Sequence, residues 1–209
     1  MRTDLTRRLV QLYVGLAIYG LSMALFVKST LGVMPWDVFH QGVAGRVPIT
    51  MGMVTIVTGA LVLALWLPLR VRPGLGTVSN VIVIGIAFDL SHAVLPTPEE
   101  LPVRIAFLLV GVLLNGVATA AYIGARFGPG PRDGLMTGLA ARTGRSVRLV
   151  RTSIEVVVLA IGWILGGVVG VGTVVYALAI GPLAHRLLPV FLVPVRAVGG
   201  ERAEASQAA

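Results

Sequence analysis

The chain of 209 residues is 56% hydrophobic and only 12% charged, carries a formal net charge of +8 and has a mean hydropathy of +0.91. This balance excludes an ordinary soluble domain and specifies a polytopic membrane protein, whose arginines serve orientation rather than a nucleic-acid patch. Cysteine is absent, so disulfides, thiolate metal sites and cysteine nucleophiles are excluded too.

The basic head MRTDLTRR leads into an apolar run over 9–27. The run is long for a signal sequence and no small-x-small cleavage site follows, so it reads as a first span. Further runs at 51–69, 75–95, 104–125, 149–167 and 170–190 predict six spans in one membrane domain over 1–198, and 199–209 reads as a disordered cytoplasmic tail. With the N-terminus inside, 14 of the 17 Lys and Arg fall on the inner side, against Lys28, Arg46 and Arg104 outside. Both termini are therefore expected in the cytoplasm.

Two interruptions hold most of the polar chemistry: Leu31–Arg46 and the longer, Arg-rich Phe127–Glu155. Displacing the chain by 96 residues aligns them: Gly32 with Gly128, Pro35 with Pro131, Asp37 with Asp133, Gly42 with Gly138 and Arg46 with Arg142. The same displacement pairs Arg8 with Arg104, Gly74 with Gly170, Gly76–Thr77 with Gly172–Thr173 and Gly85 with Gly181. In all, 24 of the 88 positions from Arg8 to Leu95 match, including Pro, Asp, Arg and Gly that apolar bias alone would not align. Each copy contains three spans, and an odd number makes the second enter the membrane from the opposite face. The predicted fold is therefore all-α, with six transmembrane helices built from two inverted three-helix repeats, about 8–95 and 104–191.

Each interruption predicts a turn and a short helix, at about Asp37–Ala44 and Asp133–Ala141, with proline and aspartate at the start. Neither can span. Each either lies on the surface or dips into the membrane, and the latter requires a cavity to satisfy the broken backbone. Doubling on opposite faces favours the re-entrant pair. Asp37 and Asp133 are then candidates to bind an ion or solute, or merely to cap backbone N–H groups; Pro35, Pro131, Arg132 and His40 accompany them.

Ser146 is an expected N-cap for the fifth span. Arg151 and Glu155, four apart on one face, either neutralise each other at the interface or line the cavity mouth as gating or charge-relay groups. Asp89 and its mate His185 are expected either as interfacial residues or as gate residues, and Asn115 is expected to make an interhelical hydrogen bond. Gly15, Gly20, Gly111 and Gly116 form small helix faces for close packing, compatible with a homo-oligomer. Three scattered histidines predict no metal site or other cofactor, and the lack of HExxH and GxSxG predicts no enzyme.

The run GPGPRDGLMTGLAARTGRSVRLVRTSIEV, followed by GWILGGVVGVGTVVYALAIGP, together with the earlier PWDVFHQG, resembles the YczE/YitT-type bacterial integral membrane proteins. The resemblance covers nearly the whole chain and implies a small six-span protein of the bacterial inner membrane, but transfers no catalytic residue. The residues themselves predict a small-solute or ion transporter or channel, with its site between the half-helices and the lipid bilayer as its surroundings. The alternative is a non-transporting accessory protein whose basic 126–151 face binds a partner or anionic lipid.

Overall fold

The computed structural model describes residues 2–193, and every regular element in them is helical. In chain order these are α1 (Arg2–Ser29), α2 (Pro35–Ala44), α3 (Met51–Ala64), α4 (Trp66–Leu69), α5 (Leu75–Val94), α6 (Leu101–Gly124), α7 (Pro131–Thr143), α8 (Val147–Ile164) and α9 (Val171–Phe191). The expected tail at 199–209 lies outside the described residues.

Five stretches are long and apolar enough to cross a bilayer: Leu5–Ser29, Met51–Leu69 (α3 with α4), Leu75–Val94, Leu101–Gly124 and Val171–Phe191. The run expected at 149–167 forms α8, which has 18 residues but carries Arg148, Arg151 and Glu155. The short helices start at Pro35 and Pro131, two residues before the aspartates expected to begin them. Proline at the first helical position needs no hydrogen-bonded N–H and has its φ preset, so the helix begins there. α7 also runs two residues past Ala141, ending where Gly144 takes φ 66°.

Because lipid tails are as apolar as leucine, packing inside a membrane protein depends on close approach and on hydrogen bonds between helices more than on hydrophobic transfer. α1 is the central helix, packed on α5 and α6, with Leu12, Leu16, Met23 and Phe26 fully enclosed. Arg8 near the start of α1 donates to the carbonyls of Ala125 and Arg126, each at 3.0 Å, just beyond the end of α6. Arg104 near the start of α6 donates to the carbonyls of Ser29 and Thr30 at 2.9 and 3.4 Å, at the end of α1. α1 and α6 therefore run antiparallel. Between them Asn115 donates to Ser22 Oγ at 2.9 Å and accepts from the Tyr176 hydroxyl at 3.2 Å, the expected interhelical role.

Those two arginine clamps are 96 residues apart, and other contacts recur at the same displacement. Gly76 N–H donates to the Phe127 carbonyl and Gly172 N–H to the Leu31 carbonyl, both at 2.8 Å. Thr77 Oγ1 donates to Pro129 O and Thr173 Oγ1 to Val33 O, again both at 2.8 Å. Thus each Gly-x-Gly-Thr turn holds the broken loop of the other half. Gly32 and Gly128 have φ of 112° and 113°, a region that side chains with a Cβ rarely enter, which explains glycine at both bends.

Candidate functional site

The two short helices start against one cavity of about 260 Å³ near the middle of the helical assembly. Met34, Pro35 and Trp36 of the α2 start line it, as do Gly130, Pro131, Arg132 and Asp133 of the α7 start. Neither start has a side-chain cap, and proline at the first position leaves few N–H groups to satisfy. Each helix is seated against the other half. α2 packs on α8, with the Val38 carbonyl and the Phe39 backbone against Gly162 and Gly167. α7 packs on α3 and α4, where the enclosed Trp66 lies against Gly134 and donates Nε1–H to Pro131 O at 2.9 Å.

The two aspartates have different surroundings. Asp37 is fully buried and does not line the cavity. Its Oδ1 accepts from His40 Nδ1 at 3.1 Å, while Oδ2 has no partner. Arg132 Nη2 faces His40 Nε2 at 3.5 Å. A guanidinium can only donate, so Nε2 offers its lone pair and the ring proton resides on Nδ1, giving a neutral imidazole between Asp37 and Arg132. Thr55 Oγ1 donates to the Met51 carbonyl at 2.9 Å and receives His40 Nδ1–H as a second acceptor at 3.2 Å.

Asp133 is half-buried in the cavity wall, and its Oδ2 accepts from the Tyr122 hydroxyl at 3.1 Å. Neither carboxylate is bonded to a backbone N–H at its helix start, so the simple capping role is not the one they adopt. Asp89 has that role instead: its Oδ1 accepts Gly52 N–H at 3.0 Å and its Oδ2 the Thr50 hydroxyl, holding the start of α3 on the end of α5. Its mate His185 is exposed.

Arg132 spreads over the Trp36 ring, 4.7 Å from the centroid, and forms no ion pair among the described residues. Arg151 and Glu155 line the cavity from α8 and pair at 3.0 Å, with side chains 48% and 30% exposed. Of the residues singled out by sequence, Pro35, Pro131, Arg132, Asp133, Arg151 and Glu155 thus share one cavity, while Asp37 and His40 form a buried layer behind it. Sequence reasoning missed Trp36, Tyr122 and Trp66. Aromatic residues in an apolar chain gave no signal of their own, although Trp36 stands directly between Pro35 and Asp37.

A family model of unknown function, DUF6198, matches residues 6–189, most of the chain. The chain belongs to the DUF6198 family. Among curated proteins, an uncharacterised protein of Haemophilus influenzae is 41% identical over 175 residues, covering 84% of this chain and 80% of its own length. The uncharacterised membrane protein YczE of Bacillus subtilis is 32% identical over 191 residues, covering 90% and 89%. The uncharacterised protein YyaS of the same organism is 26% identical over 181 residues, covering 85% and 90%. No solved structure matches the chain. DUF6198 membership and the YczE relative agree with the resemblance drawn from PRDGL and GVGT, and with a protein embedded in a membrane.

Proposed function

We propose that this DUF6198 protein is a small-solute transporter of the inner membrane, with six spans in two inverted repeats, both termini in the cytoplasm, and a central site between re-entrant half-helices. The antiparallel α1 and α6, with matching arginine clamps at both ends, support inversion. α8 supplies the sixth span: at 1.5 Å per residue its 18 residues cover about 27 Å. Its charged face is turned to the cavity through Arg151 and Glu155.

The observation that carries transport is a difference in helix packing between the two halves. In the first half α3 closes on α5, bringing Gly52 against Gly85 and Gly59 against Val81. In the second half the mates of Gly52 and Gly59 are Arg148 and Glu155, and α8 and α9 scarcely touch. The same scaffold is shut on one side of the cavity and parted on the other. On the charge-derived topology the parted side is cytoplasmic. A repeat protein that exchanges these two arrangements between its halves would expose the cavity alternately to either face.

Single cysteines at 34–44 and 130–140, labelled with a membrane-impermeant thiol reagent, test the site. Periodic, solute-sensitive protection around Asp133 and Trp36 is expected. Uniform fast labelling of each segment from one face would place both helices on the surface and remove the transport reading. A second reading has its own support: Arg142, Arg145 and Arg148 are exposed at the α7–α8 turn, a basic face suited to a partner or anionic lipid.

A further inference from the structure

The charges around the cavity are balanced in number and unequal in commitment. Arg151 and Glu155 satisfy each other. Arg132 has an aromatic face and a histidine nitrogen but no carboxylate, and Asp133 has one accepted hydrogen bond, from Tyr122. Arg132 and Asp133 are neighbours at the start of α7, line the same cavity, and do not pair with each other. A carboxylate with two oxygens offers about four acceptor sites, and a guanidinium five donors, so both retain capacity facing the cavity.

The local electrostatic sum points the same way. The lining contributes two positive and two negative side chains. Asp37 behind His40 adds a third negative charge. The two uncapped helix starts that face the cavity each supply a partial positive charge of about half a unit, which offsets it. A solute of net charge would bring an uncompensated ion into the site, which disfavours it. A solute of zero net charge that still carries both signs would meet one open group of each kind.

We infer that the cavity binds a small zwitterion, with its carboxylate on Arg132 beside the α2 and α7 starts and its ammonium on Asp133. This inference rests on the transport reading of the same cavity and adds the class of solute. A volume of about 260 Å³ suits a molecule of amino-acid size, and Met34, Val62, Ile84, Met136 and Ile180 give its remaining wall an apolar surface for a hydrocarbon side chain. The Trp36 ring holds the guanidinium from behind and leaves its N–H edge to the carboxylate.

The test uses the intact protein in detergent micelles and nanodiscs. Thermal stability and calorimetric affinity are measured with glycine, leucine and phenylalanine, and with the two halves of leucine, 4-methylpentanoate and 3-methylbutylamine. At least one amino acid is expected to raise the melting temperature in a saturable way, and each half-ligand to bind at least tenfold more weakly. Arg132→Gln and Asp133→Asn are each expected to weaken the amino acid tenfold or more, while leaving the half-ligand that lacks the corresponding charge little changed. Equal binding of either half-ligand would overturn the zwitterion class and leave a cavity that takes a simple ion. If no amino acid binds although cavity cysteines are water-accessible, the zwitterion assignment falls and the transport reading stands. If those cysteines are also inaccessible, both fall.

Discussion

Gly85 and Gly181 are 96 residues apart, yet only one of them is packed. A Cβ on Gly85 would come within 2.5 Å of the Gly52 carbonyl oxygen, whereas a Cβ on Gly181 would meet nothing within 4 Å. Gly85→Ala must therefore push α5 from α3 or distort both, and is expected to destabilise by about 1–3 kcal/mol. Gly181→Ala is expected to be within about 0.5 kcal/mol of the parent. Denaturant titration in micelles compares them, and equal losses would mean that α9 is closed on α8 as α5 is on α3.

Thr77 and Thr173 each bridge a helix start to the broken loop of the other half, and each also accepts a backbone N–H, from Gly74 and Gly170 at 3.2 Å. Valine keeps the shape and removes both bonds, leaving a carbonyl and an N–H unmatched. Each substitution is expected to cost about 1–3 kcal/mol, and the two costs to be similar. A loss at one threonine and none at the other would show that the shared scaffold supports only one of the two loops.

Asp37 and Asp133 should separate stability from activity. Asp37 is sealed with His40, so Asp37→Ala leaves a buried imidazole N–H short of its carboxylate partner and is expected to cost about 1.5–3 kcal/mol. Asp133 is half-buried, and Asp133→Asn is expected to leave the melting temperature nearly unchanged while abolishing solute-dependent stabilisation. Loss of folding in Asp133→Asn, with ligand response intact in Asp37→Ala, would reverse the two roles.

Arg151 and Glu155 are expected to contribute little to stability as a pair, because about half and a third of their side chains are exposed. A double-mutant cycle should give a coupling below about 1 kcal/mol. Their expected effect is on uptake rate in proteoliposomes, since they flank the cavity on its parted side. An uptake rate unaffected by Glu155→Gln and by Arg151→Gln would remove the gating role.

Much of this was legible in the sequence because the repeat writes each structural device twice. Pro35 with Pro131, Gly32 with Gly128 and Thr77 with Thr173 announced paired bends, and the bends and their clamps are paired. What the repeat could not reveal is where identical elements meet different neighbours. Asp37 and Asp133 occupy one register, but His40 is replaced by Met136 in the second copy, so the first aspartate pairs with a buried histidine and the second with the Tyr122 hydroxyl. The helix starts were misjudged by two residues because proline's preset φ outweighed the expected position of the acidic residue. Trp66 went unnoticed because its role, a single Nε1–H aimed at Pro131 O, depends on a contact 65 residues away.

The most direct measurement is two-sided accessibility of the cavity. The native chain lacks cysteine, so single substitutions at Thr58 and Ala184, which line the cavity from α3 and α9, can be labelled without background. Alternating access that rests with α3 closed on α5 and α8 parted from α9 predicts that a membrane-impermeant thiol reagent labels both positions at least about tenfold faster from the cytoplasmic face than from the outer face. Equal labelling rates from the two faces, or labelling of neither position from any face, would contradict it.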